Sequence, residues 1–93
     1  MMDINRDRKY CLQLLQEYTK SESLLKHAYA VESCVTAYAE KLNEDVAYWG
    51  NVALLHDFDY ERYPEAPDHP LKGAETLRTL GYDDEFVNTI LSA

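Results

Sequence analysis

Apolar residues return every three or four positions along most of this chain, which is the period of an amphipathic α-helix. Cys11, Leu14, Leu15 and Tyr18 stand at i, i+3, i+4 and i+7 and predict a first helix over about residues 7–18. Ser21 or Ser23 can cap a second helix over about residues 22–42. Its Leu24, Ala28, Val31, Val35, Tyr38 and Leu42 keep to one stripe with no Gly or Pro between them, so that face is expected at the centre of the core. Asn43 reads as the N-cap of a third helix, with Glu44 and Asp45 in the first turn where acids suit the helix dipole. This helix runs through Val46, Trp49, Val52 and Ala53 to His56.

Residues 57–69 then follow neither regular period. They mix prolines, acids and aromatics, the composition of a packed functional loop. Pro70 fits the first turn of a fourth helix with Asp68 or His69 near its cap, and Gly81 fits its stop. Asp83 can cap a fifth helix carrying Phe86, Val87, Ile90 and Leu91, which is still apolar where the sequence stops. The expectation is one all-α domain over residues 1–93, a bundle of about five helices incomplete at its C-terminus. The unfinished apolar face of the fifth helix makes homo-oligomerisation a candidate property.

Composition narrows the partners. A chain of 93 residues has room for one modest core, burying roughly 60 to 65 % of its unfolded surface. With 17 acidic against 9 basic residues its formal net charge is -8, which repels nucleic-acid backbones and anionic membranes unless a metal or a local basic patch intervenes. The expectation is therefore no nucleic-acid polymer and no membrane. Cys11 and Cys34 lie in separate helical patterns without Cys-x-x-Cys spacing and read as buried reduced thiols. The N-terminus alternates charges where a signal peptide needs an apolar run, and the location expected is the cytoplasm.

The chemistry gathers on histidines. His56-Asp57 ends the apolar run Val52-Ala53-Leu54-Leu55, and a buried helix rarely ends on two groups that are costly to desolvate unless something compensates them. A divalent metal compensates both at once. His27, at the edge of the second helix's apolar face, can add an imidazole to a mixed nitrogen and oxygen site open to water. In the competing reading Asp57 caps a turn and both histidines are simply hydrogen-bonded.

The run Leu25-Lys26-His27-Ala28-Tyr29-Ala30-Val31-Glu32, then Trp49-Gly50 and Leu54-Leu55-His56-Asp57-Phe58-Asp59-Tyr60-Glu61, then Pro64-Glu65-Ala66-Pro67-Asp68-His69-Pro70-Leu71-Lys72-Gly73-Ala74 resembles the HD-domain superfamily of metal-dependent phosphohydrolases, in particular its small bacterial members. The resemblance implies an HD-like helical bundle in which His27, His56 and Asp57 hold a divalent ion, with Mg, Mn, Fe, Co, Ni and Zn not separable. It places Asp57 in the catalytic role and His69 at a second metal. The family's downstream aspartate has no counterpart, and Asp83 and Asp84 do not replace it.

The implied reaction is metal-assisted hydrolysis of a small phosphorylated molecule or nucleotide. Lys72 and Arg62 are candidates to meet its phosphate, and Phe58, Tyr60 and Tyr63 to wall its pocket. Asp59 reads equally as a turn cap. The alternative is a non-catalytic HD-like fragment or regulatory module that oligomerises.

Overall fold

The computed structural model describes residues 4–65 and 68–92, apart from the side chains of Asp68 and Pro70. The expectation for Asp68 as a cap lies outside them. A 3-10 turn at Ile4–Arg6 leads into α1 (Arg8–Tyr18), α2 (Glu22–Lys41), α3 (Val46–Leu55), α4 (Asp68–Thr79) and α5 (Asp84–Leu91). Among the described residues there is no strand, as the period predicts. None of the helices is long and apolar enough to cross a membrane.

Helices α1, α2 and α3 start where a side chain takes one of their orphan N–H groups. Asp7 accepts from the Tyr10 amide and Ser21 from the Leu24 amide. The third start differs from expectation. Asp45, not Asn43, is the N-cap of α3, accepting from the Tyr48 amide at 3.1 Å. Asn43 instead has φ 57° and ends α2: Glu44 N–H donates to Ala39 O at 2.8 Å and Asn43 N–H to Glu40 O at 3.3 Å, a Schellman stop. Gly81, at φ 101°, ends α4 in the same way, with Tyr82 N–H on Leu77 O and Gly81 N–H on Arg78 O.

The centre of the molecule is α3. Gly50, Asn51, Val52, Ala53, Leu54 and Leu55 are all buried, with α1, α2, α5 and the 3-10 turn packed around them. Gly50 lets α2 approach, since a Cβ there would meet Thr36 Cγ2 at 2.9 Å. In α2, by contrast, only Ala28 and Ala39 are buried, and Tyr38 and Leu42 are about two-thirds exposed. The stripe expected at the centre of the core is thus a boundary face, because α3, apolar all round, takes the central place. Phe86, Val87 and Ile90 of α5 turn inward, so the apolar face expected to seek a partner is covered within the chain.

Cys11 and Tyr82 share a hydrogen bond at 3.0 Å inside the core. Burial pushes the Cys11 thiol up to about 11. Asn51 closes a polar seam, donating to Asn5 O at 2.9 Å, while Asn5 Nδ2 donates to the Asp83 carboxylate at 2.7 Å. Asp83 stands at the N-cap position of α5, yet its side chain makes no cap bond.

Candidate metal centre

The last turn of α3 delivers His56. Its Nδ1 lies 2.6 Å from the Ala53 carbonyl, which can only accept, so Nδ1 carries a proton and Nε2 is the ring atom left to meet a metal. That Nε2 faces Asp57 Oδ2 at 3.2 Å. From α2, His27 brings its ring centroid to 5.9 Å from that of His56. Donor atoms of His27, His56 and Asp57 all lie within 4.8 Å of one another. Among the sequence-predicted ligands these three are the ones brought together.

The donors stand at the mouth of a cavity of about 180 Å³ whose floor is Leu15, Leu24, Ala28 and Leu54. Pockets that bury a drug-sized ligand run to roughly 300–1,000 Å³, so this one suits a hydrated cation and one small anionic group better than a whole nucleotide. His27 and Asp57 are exposed and His56 half-buried. Two imidazole nitrogens and one carboxylate oxygen that converge and leave water access fit a divalent transition ion.

Of the His56-Asp57 pair expected to be buried, the aspartate is open to water. Asp57 is not desolvated, since its side chain keeps 47 % of its exposure. The buried acid is Asp59, 2 % exposed, which accepts from His69 Nδ1 at 2.7 Å and from Gly73 N–H at 2.9 Å. His69 in turn points Nε2 at the second oxygen of Asp57, 3.4 Å away. At φ -94° and ψ 126° its backbone is extended, and the continuous turns of α4 begin at Pro70.

What aligns α2 with the end of α3 escaped the sequence reading. Thr19 is buried and donates to the Phe58 carbonyl at 3.1 Å, and Glu61 accepts from the Lys20 and Ser21 amides at 2.5 and 3.4 Å. These bonds pin the turns after His56 to the start of α2, which carries His27. The signal available was weak: Thr19 and Glu61 are polar residues beside apolar ones, visible as partners only once folded.

The remaining candidates divide. Phe58 is core, 5.0 Å from the Tyr18 ring, rather than a pocket wall. Tyr60 lines the cavity and meets the His69 ring edge-on. Arg62 lies 3.9 Å over the Tyr18 ring. Lys72 and Tyr63 line a separate surface groove with Glu75, away from His27 and His56.

Comparison with known proteins corrects the sequence-based assignment. No family model matches the chain, and no solved structure matches it. It is 34 % identical over 84 residues, 90 % of its length, to a tRNA (cytidine(56)-2'-O)-methyltransferase from Thermoplasma volcanium, of which those residues make up 25 %. The chain thus spans about a quarter of the relative's length. That relative overturns the assignment to the HD phosphohydrolases, the hydrolysis of a small phosphorylated molecule or nucleotide, and the exclusion of a nucleic-acid partner; it gives no better support to the fragment reading. The physical reasons are two: a few histidines and an aspartate report a donor set, not a reaction, and net charge averages over a surface on which local charge decides RNA contact. What the chain resembles is part of an enzyme that methylates tRNA.

Proposed function

We propose that this chain takes part in 2'-O-methylation of tRNA, the reaction in its relative's name, and that it meets the RNA through a divalent cation held by His27, His56 and Asp57. The observation that carries the reading is the 34 % identity over 84 residues to a tRNA methyltransferase. The convergent donors support the cation, and the cavity is of a size for one phosphate group beside it. A bound divalent ion would supply local positive charge and open coordination positions for a phosphate oxygen.

The chain's own residues have defined tasks in this reading. His56, fixed by Ala53 O, turns Nε2 toward the ion; Asp57 contributes a carboxylate oxygen; His27 closes the donor set from the neighbouring helix. Leu15, Leu24 and Leu54 keep the cavity floor dry, which strengthens electrostatic contacts at its mouth. With a net charge of -8 the protein as a whole repels RNA, so binding falls on this one locus.

Fluorescence anisotropy with labelled tRNA, with and without Mn²⁺, tests this together with the 2'-O-methylcytidine content of tRNA from cells lacking the protein. The expected result is manganese-dependent binding weakened at least 10-fold by His56→Ala, and loss of the modified nucleoside. Unchanged methylation and no tRNA binding at any metal concentration would overturn it.

A further inference from the structure

We propose that the apolar groove between the C-terminal half of α2 and the start of α3 docks a positively charged, RNA-binding protein domain, the one that carries out methyl transfer. This rests on the methylation reading above and gives that reading a protein partner. The groove is lined by Val35, Tyr38, Ala39, Leu42, Glu44 and Trp49 and holds about 390 Å³, more than twice the 180 Å³ at the donors. Val35, Tyr38, Ala39 and Leu42 stand at i, i+3, i+4 and i+7, so a single stripe of α2 forms one side. Tyr38 and Leu42 are 66 and 64 % exposed, and Val46, in the first turn of α3, is 39 % exposed. The opposite wall is anchored from the core: the Trp49 ring stands edge-on to Tyr48 at 5.6 Å, and Tyr48 edge-on to the buried Phe86 at 5.4 Å. Tyrosine and tryptophan are the residue types that carry much of the binding energy at protein interfaces.

Two observations choose the occupant. The first is that the chain matches 25 % of a tRNA methyltransferase, so in that relative the matched residues share one polypeptide with the other three quarters. The second is charge. Glu40 and Glu44 are exposed at the groove, with Lys41 beside them, and the chain as a whole carries -8. Another copy would bring the same -8 to the same face, and two like-charged surfaces repel. A protein that grips tRNA presents Lys and Arg to its phosphates, so its surface has the opposite sign. Docked on this groove, such a surface gains apolar contact and charge attraction together. Position agrees with the reading. The turn from Tyr38 to Leu42 lies roughly 16–23 Å along α2 from His27, at about 1.5 Å per residue, so a partner seated there leaves the cation centre open to RNA.

The experiment puts the photo-crosslinker p-benzoylphenylalanine in place of Tyr38 in the full chain, in its own cells, and identifies the adduct by mass spectrometry. Its yield is compared in Leu42→Glu and in the double charge reversal Glu40→Lys with Glu44→Lys, all at exposed positions. Expected is one adduct, with a protein of net positive charge that methylates tRNA, and a yield lowered about 10-fold or more by Leu42→Glu and less by the double reversal. If Leu42→Glu fails to fold by circular dichroism, the double reversal carries the comparison. An adduct with a second copy, an adduct with a protein that has no methyltransferase activity, or no adduct would each overturn the proposal. So would a dimer of the purified chain, seen by light scattering, that Leu42→Glu disperses. Manganese-dependent tRNA binding by the purified chain should be unchanged in Leu42→Glu, because the groove is remote from the donors. Loss of the expected adduct with that binding intact overturns this inference alone, whereas unchanged methylation in cells lacking the protein overturns the reading on which it rests.

Discussion

Helices α2 and α3 lie against each other and share the candidate centre, yet they are opposites. The longer one is mostly exposed, with an apolar stripe that runs out into solvent at Tyr38 and Leu42; the shorter one has six consecutive buried residues. Length and periodicity are properties of a segment, whereas centrality is decided by how many neighbours can close around it. A helix that is apolar on every side has no stable place except the middle. An amphipathic helix can lie at the edge, and α2 does, joined to α1 by the bidentate Arg8–Glu32 pair.

The largest contrast should come from truncating the leucine at the C-terminal end of each helix, Leu55 of α3 and the C-cap Leu42 of α2. Leu55→Ala, at a fully buried position, is expected to cost about 2–5 kcal/mol in urea unfolding. Leu42→Ala, 64 % exposed, should stay within about 0.5 kcal/mol. Equal losses would mean that α2 is as central as its stripe suggests.

The two cysteines sharpen the same contrast: both were expected to be buried, but Cys34 lies on the open side of α2 and only Cys11 is in the core. Cys34, exposed on α2, should take one equivalent of iodoacetamide in the native protein, while Cys11 reacts only after unfolding. Because burial raises the Cys11 thiol from 9.0 to about 11, the folded state holds that proton longer than the unfolded chain does. Its contribution is therefore intact below pH 9 and lost as pH rises through about 11, a fall of about 2–3 kcal/mol in wild type that is reduced in Cys11→Ala. The Tyr82 hydroxyl, raised by burial and by its bond to Cys11, acts in the same direction.

The smallest effect compares the two helix stops. Gly81→Ala has open space around the new methyl group but keeps φ at 101°, so about 1 kcal/mol of backbone strain is expected. Asn43→Gly, at φ 57°, should be neutral or slightly stabilising by the same thermal-unfolding measurement.

Much of the fold was legible. The 3.6-residue period gave five helices and an all-α bundle, and Gly81 and Ser21 marked their boundaries correctly. Asn43 was misread because asparagine suits both an N-cap and a left-handed C-terminal stop, and residue type alone does not choose between them. At the centre, His27, His56 and Asp57 were legible as donors because few residue types bind metals. Asp59 was not, since an aspartate in a loop reads as a turn cap until its distance to Gly73 is known. The hydrolase assignment went further than the residues do and gave way to a methyltransferase relative.

By itself the sequence determined where the helices form, since period and capping are local, and which side chains are able to ligate. Tertiary structure alone decided that α3 rather than α2 is central, that Asp59 rather than Asp57 is buried, and that His69 is turned toward Asp57. Each of these depends on contacts between residues far apart along the chain, or on competition between faces for a limited interior. No local pattern records who wins.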